Sequence, residues 1–550
     1  MIYLLRILSI FIFLLPITGS LHGADTVTCD SRQELAMVHK ETLRFSTLFL
    51  SRVVNSHLST DEDIAKAIDW CQRNGLSKVY LETYRSNIWA DKEVIVHARD
   101  AFREAGFVVA GCVTTTNLAA PAMISVNGIL QPDKYLACYS DIRNQDLLQE
   151  IFQFTASIFD EIIIDDFYCT VCECLTCTAA KGDLPWAEAR CDLLMQMSRE
   201  RVLAPARKVN PDCRITIKFP VWYDHLAGKG YDVKRETALF DAIYTGTETR
   251  NPSGIDSNPQ YAAYFMMRWL NNAGGDKNLG GWFDFYTSTP EVYVEQARQT
   301  ILANSPEVML FHYKALAEED VPSMDMAALY AELPELFKLA KLIEGKTPRG
   351  VLVPKPLGSS DLDTPTTRIT TDRYVLGFLG MLGIPVEPVL SLEGTSGPIL
   401  ATQHLLYDDA VKEDFLAAVA SGRPAIMTSA LVDVLGGDPG MARVLEFDSK
   451  MELMTLPADS LNELRNHVLE PLGLRMDGPA RVSLHLYDDD LIVLENFNDK
   501  SVEISLGLAG GKSAIAVMSI PKSATIDCQS TSGKLRISMA PRSLVVFSVQ

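Results

Sequence analysis

Histidine is scarce in this chain: nine residues in 550, with no H-x-H and no H-E-x-x-H arrangement. That shortage argues against the histidine-ligated metal hydrolases, which draw their first ligands from such pairs. Positive charge is also in deficit, with 50 Lys and Arg against 70 Asp and Glu and a formal net charge of −20. Such a surface repels phosphate backbones and anionic lipid, so no nucleic-acid partner is expected. Beyond the N-terminus no apolar run reaches the roughly 20 residues that a membrane span requires. There is no repeat of fixed period and no low-complexity tract. No glycine-rich phosphate fingerprint follows the first expected strand, and no organic cofactor is expected.

What is present begins with an apolar stretch, Ile7–Leu15, after one basic residue (Arg6) and before Pro16-Ile17-Thr18-Gly19-Ser20. The layout reads as a secretory signal over residues 1–24, with cleavage after Ser20 or Ala24. A secreted or periplasmic protein with no remaining membrane span is the expectation. Export permits disulfides. Yet Cys29, Cys71, Cys112, Cys138, Cys191, Cys213 and Cys528 are scattered without framework spacing, and several fall inside expected elements as buried free thiols.

At 550 residues the chain exceeds a single core, which stops growing near 250–300. From residue 44 to about 345, apolar runs alternate with helical patterns. The expected strands are Arg44–Leu50, Lys78–Thr83, Phe107–Val113, Glu161–Asp166, Arg214–Phe219, Ala242–Thr245, Gly280–Phe285 and Val308–Phe311. Eight strand–helix units in this length predict a closed (β/α)8 TIM barrel over residues 25–345. Residues 346–475 read as a flavodoxin-like α/β domain and contain no cysteine, which excludes a thiol-dependent amidotransferase. Short alternating runs over 476–550 predict a C-terminal antiparallel β-sandwich domain.

A barrel carries its chemistry at the C-terminal ends of its strands. Those ends carry Glu82; Thr114 to Thr116; Asp165-Asp166-Phe167-Tyr168; Lys218 with Trp222 and Tyr223; Glu248 and Arg250; Trp282, Asp284 and Tyr286; and His312 with Tyr313. Aromatic faces with carboxylates suit an oligo- or polysaccharide, because pyranose C–H groups stack on rings and hydroxyls need polar partners. Glycosidic cleavage needs two carboxyl groups. Ile162-Ile163-Ile164 running into Asp165-Asp166 is the sharpest signal: a buried strand delivering acids to the barrel mouth. Alternation sends the two aspartates to different sides. Asp166 is favoured as the one facing the pocket, with Asp165 the alternative.

The segment Ile163-Ile164-Asp165-Asp166-Phe167-Tyr168 resembles the aspartate-bearing fourth strand of clan D and related barrel glycosidases. The resemblance implies a secreted, retaining glycoside hydrolase with Asp166 as nucleophile and Glu248, in the matching strand-six position, as acid/base. Glu82, Lys218, Trp222, Tyr223, Arg250, Trp282, Asp284, Tyr286 and His312 are then the expected substrate-binding residues. The domain order is similar to that of three-domain β-galactosidases. This chain lacks their strand-four Asn-Glu pair and offers Asp284 rather than Glu at strand seven, a departure that argues against β-galactosidase activity. The rival function is a non-catalytic carbohydrate-binding barrel. The middle domain suggests a homo-oligomer contact.

Cys169, Cys172, Cys174 and Cys177 give C-x2-C-x-C-x2-C directly after the strand-four acids. Four thiols this close suit one structural tetrahedral zinc. Two local disulfides are the alternative. The three-domain β-galactosidases can also carry a cysteine zinc cluster in a barrel loop.

Overall fold

The computed structural model describes residues 31–250, 258–317, 326–358, 371–531 and 533–550. The expected signal segment and Cys29 lie outside them. Among the described residues no helix is long and apolar enough to cross a membrane.

The eight apolar runs pair in parallel as β1 (Arg44–Phe49), β2 (Lys78–Arg85), β3 (Val108–Val113), β4 (Glu161–Ile164), β5 (Arg214–Phe219), β6 (Ala242–Gly246), β7 (Asn278–Phe283) and β8 (Glu307–Leu310). Pairing of β1 with both β2 and β8 closes the barrel. Strands covered on both faces read as near-continuous apolar runs. β4 does this with Ile162, Ile163 and Ile164, all buried. Helix signals are local: Thr60 caps Asp61–Arg73 by accepting from Asp63 N, and Asp91 caps Lys92–Glu104.

The barrel floor is polar. Lys78 Nζ lies 2.7 Å from Glu161 and 3.1 Å from Glu307. Glu307 also accepts from Ser46 Oγ, Tyr80 OH and Tyr244 OH at 2.6–3.1 Å. Every donor finds an acceptor, which is the condition for burying charge.

The interval 117–140 holds a two-stranded hairpin, Pro121–Val126 with Ile129–Ala137. Asn127 and Gly128 turn it with φ of 53° and 78°. Two successive left-handed residues make the type I′ turn that Asn-Gly favours, so the signal was in the sequence.

The middle domain is a parallel sheet of β9 (Val351–Pro354), β10 (Val386–Val389), β11 (Ile399–Ala401), β12 (Ala425–Thr428) and β13 (Arg443–Leu445), in the order β10-β9-β11-β12-β13. This is the flavodoxin-like order, whose ligand crevice lies beyond the carboxyl ends of its first and third strands. Here the crevice receives the barrel. Asp224, in the loop after β5, accepts from Tyr374 N at 2.7 Å and pairs with His404 Nε2 at 2.8 Å. Tyr223 OH accepts from Leu376 N at 3.3 Å.

The C-terminal domain packs a sheet of Pro348–Arg349, β15 (Val482–Tyr487), β16 (Leu491–Asn496), β21 (Leu544–Val549) and β18 (Ala514–Ile520) on a second sheet. The second contains β14 (Leu474–Asp477), β17 (Val502–Leu508), β20 (Lys534–Met539) and β19 (Ile526–Thr531). One apolar cluster joins the two. This sandwich also covers barrel helix Pro290–Leu302, whose polar residues from Glu295 to Thr300 are buried. Arg298 there bonds Glu332 and Glu495, while Glu295 bonds Arg542.

The Asp224–His404 pair is fully desolvated, its side chains 1% and 0% exposed. Removing one partner of such a pair typically costs about 3–5 kcal/mol. Asp224→Ala is therefore expected to lower the urea unfolding midpoint markedly, His404→Ala to do likewise, and the double variant to add little further.

Candidate active site

The acids gather because β4 ends early. The strand stops at Ile164 and the chain turns, Tyr168 N donating to Asp165 O. Alternation no longer applies beyond that point, so both aspartates reach one cation. Lys218, from the end of β5, places Nζ 2.8 Å from Asp166 Oδ2, 2.9 Å from Glu248 Oε1 and 3.7 Å from Asp165 Oδ1. Trp282 lies beneath, its ring centroid 4.3 Å from Nζ. Two carboxylate oxygens within 2.9 Å of one nitrogen are separated by less than twice that distance.

Around this centre stands a ring of further ion pairs. Arg85 donates to Asp165 Oδ2 at 2.7 Å and to Glu82 Oε1 at 2.8 Å. Thr114 Oγ1 joins the same two carboxylates, and Ser51 N caps Glu82 at 2.8 Å. Arg250 clasps Asp284 with two nitrogens. Glu248 Oε2 is buried without a hydrogen-bond partner. A Cβ at Gly246 would stand 2.7 Å from it, so only glycine leaves that space.

Among the described residues the site holds more carboxyls (Glu82, Asp165, Asp166, Glu248, Asp284) than cations (Arg85, Lys218, Arg250). Unbalanced negative charge away from water drives proton uptake. Burial, with Asp165 and Glu248 adding to it, pushes Asp166 up to about 7 although Lys218 opposes. Burial would also raise Asp165, but Lys218 and Arg85 outweigh it and hold that carboxyl below its usual range. Burial raises Glu82 and Asp284.

The other residues expected from the sequence are placed unevenly. Glu82 is wholly enclosed and serves Arg85 and Thr114. Tyr223 is buried against Phe265, Tyr374 and His404, turned to the middle domain with no open face. Trp282 is floor, covered by Lys218. His312 is buried between Phe285 and Phe311. Trp222 is half-buried with Lys229 over its ring, and Tyr286 is 48% exposed at the rim, with Arg250 5.8 Å from its ring centroid. Arg85 was missed in the sequence. Its one clue was its place three residues after Glu82, where the strand is about to end.

Against this geometry stand the comparisons. A family model described as probable glycosyl hydrolase, catalytic domain, matches residues 32–348, and its C-terminal domain partner matches residues 473–550. The chain belongs to the probable glycosyl hydrolases. An uncharacterized protein of Saccharolobus solfataricus is 25% identical over 408 residues, 68% of this chain and 65% of the relative; the chain thus spans under two thirds of that relative's length. An exo-carrageenase from Bacteroides ovatus superposes with a TM-score of 0.48 at 9% identity over 92% of this chain and 79% of that one. An exo-β-1,4-mannosidase from Opitutaceae bacterium strain TAV5 gives 0.44 at 10% identity over 72% and 79%.

Beside these acids, four sulfurs converge, but the set differs from the sequence expectation. Cys138, Cys172, Cys174 and Cys177 place their sulfurs within 4.8 Å of one another. Cys169 is not among them; it is buried in the barrel core, its thiol pushed up to about 12 by burial. Cys138 replaces it because the hairpin returns the chain to the loop: Met123 N donates to Cys172 Sγ and Glu173 N to Met123 O. All described cysteines are free. The separations of 3.6 Å (Cys138–Cys177) and 3.8 Å (Cys138–Cys174) match the ~3.8 Å edge of a tetrahedron with metal–sulfur bonds of about 2.3 Å. The donor set fits a thiophilic metal ion.

The geometry separates two neighbouring cysteines by experiment. Metal content by mass spectrometry is expected to collapse in Cys138→Ser and Cys172→Ser and to stay at the wild-type level in Cys169→Ser.

Proposed function

We propose that this chain is a retaining glycoside hydrolase in which Asp166 and Glu248 act on one sugar across Lys218. The observation that carries the reading is the shared ammonium. It brings one oxygen of each carboxylate to within 2.9 Å of the same nitrogen, a closeness that supports the spacing of about 5–5.5 Å that suits a covalent intermediate over the ~6.5–9.5 Å that leaves room for water. Electrostatics favour a division of labour opposite to the one that the clan D resemblance implies. Asp166, lifted to about 7, retains a proton to give to the glycosidic oxygen. Glu248, with Oε2 unpartnered, has the lone pair for the anomeric carbon.

In the first step the Asp166 proton passes to the leaving oxygen as the C–O bond breaks and Glu248 bonds to the anomeric carbon. In the second, carboxylate Asp166 takes a proton from water, whose oxygen displaces Glu248. Lys218, Arg85–Asp165 and Arg250–Asp284 hold charge and orientation, with Arg250 and Tyr286 nearest the entrance. Four thiolates from Cys138, Cys172, Cys174 and Cys177 would hold a structural zinc with no position left for substrate, so it would brace the loop that follows Asp166. The apolar N-terminal stretch supports export to the periplasm or beyond.

Raised Asp166 loses its proton as pH climbs through about 7. The donor form is therefore lost above neutrality, and kcat/KM is expected to fall with a basic limb near that value. Lys218→Met removes the group that lowers Asp166, so this limb should move to higher pH while the rate drops. Asp166→Ala should cost roughly 10²–10⁴-fold on sugar leaving groups and far less on a glycosyl fluoride. Azide should then yield a glycosyl azide of retained configuration. An azide product of inverted configuration would instead make Asp166 the nucleophile. Saturable glycan binding without any turnover would remove the hydrolase reading.

A further inference from the structure

The rim next to Asp166 carries aromatic surface that the two-step reaction does not use. Phe167 follows Asp166 directly, and its carbonyl is fixed by Thr115 Oγ1 at 2.9 Å. Tyr135, from the returning strand of the hairpin, approaches it with ring centroids 6.4 Å apart at 55°. Tyr135 is 46% exposed although a large aromatic ring gains by burial. The backbone beneath is rigidly held: Asn117 N donates to Tyr135 O, and Asp133 Oδ1 accepts from Tyr135 N at 2.7 Å. Asn144 ties the hairpin base through Ala120 and Cys138. The solvent-exposed Lys134 ammonium lies 4.9 Å from the ring centroid, and a sugar face can replace it.

We propose that Tyr135 and Phe167 form the binding platform for the sugar on the leaving-group side of the scissile bond. A proton donor stands beside the leaving oxygen, so the surface that adjoins Asp166 receives the leaving sugar. The inference rests on the assignment of Asp166 as donor. It adds that the substrate is a chain of at least two sugars and that the hairpin confers this preference. Two tilted rings on separate segments form a shallow angled wall, which suits the apolar C–H face of a pyranose.

The experiment compares two substrates of the sugar identified by screening: its glycosyl fluoride, with a one-atom leaving group, and its natural disaccharide or longer oligosaccharide. Tyr135→Ala is expected to lower kcat/KM about tenfold on the oligosaccharide, mostly through KM, and to leave the fluoride unchanged. Tyr135→Phe, which keeps the ring, should restore the oligosaccharide rate. Equal losses on both substrates, or none on either, overturn the platform. The binding of the same oligosaccharide to Glu248→Gln, with and without Tyr135→Ala, reads the platform without turnover; unchanged affinity overturns it too. The azide product of Asp166→Ala tests the underlying assignment separately, so failure of one is distinguishable from failure of the other.

Discussion

A single buried ammonium organises this molecule. Lys218 is 2% exposed and within reach of three carboxylates. An ion so enclosed is stable only because its partners repay the lost hydration. Those partners in turn tolerate one another only because the cation lies between them. The fold serves this arrangement. β4 stops early so that its aspartates turn inward, β5 ends at Phe219 so that Lys218 stands beside them, and Gly246 leaves room for Glu248. Charge still does not balance, and the surplus appears as a carboxyl that keeps its proton near neutrality. The proposed proton donor would thus owe its proton to a shortage of cations.

Support for that centre comes from outside the barrel. The loop that follows Lys218 carries Asp224 into the crevice of the middle domain, where a flavodoxin-like sheet ordinarily binds a ligand. The crevice is filled by protein: Asp224 against His404 and Tyr374, with buried Lys355 donating to Pro356 O and Gly358 O nearby. The middle domain anchors the barrel loop on the far side of Trp222. The C-terminal sandwich covers helix Pro290–Leu302, and within that helix Gln296 accepts from Thr249 N, next to Glu248. Each accessory domain is therefore one residue or a few removed from the acids.

Much of the architecture was legible because its physics is local. Strands buried on both faces require unbroken apolar runs, so Ile162–Ile164 and its seven counterparts announced a barrel. Short alternating runs announced the sandwich. The site was legible in its strand ends and not in its orientations. Whether Asp165 or Asp166 faces the pocket depends on where a strand stops, and that is a matter of turn geometry. Tyr223 and Trp282 have suitable chemistry and position, but their faces are taken by Leu376's neighbourhood and by Lys218. Cys138 was out of reach because only the hairpin brings it to the loop, although Asn127-Gly128 marked the turn that does so. Arg85 lacked any motif; its importance is collective, in the balance of charge.

The plugged floor has a consequence for the traffic of protons. Lys78, Glu161 and Glu307, with the hydroxyls of Ser46, Tyr80 and Tyr244, close the lower end of the barrel with fully engaged polar atoms. Above them, on the inward side of β4 and β5 shared with Glu161 and Lys218, come Ile163 and Thr216, both buried. On the proposed reading, Asp166 then exchanges its proton through the mouth, the same side by which a sugar would enter, so substrate and solvent compete for one approach.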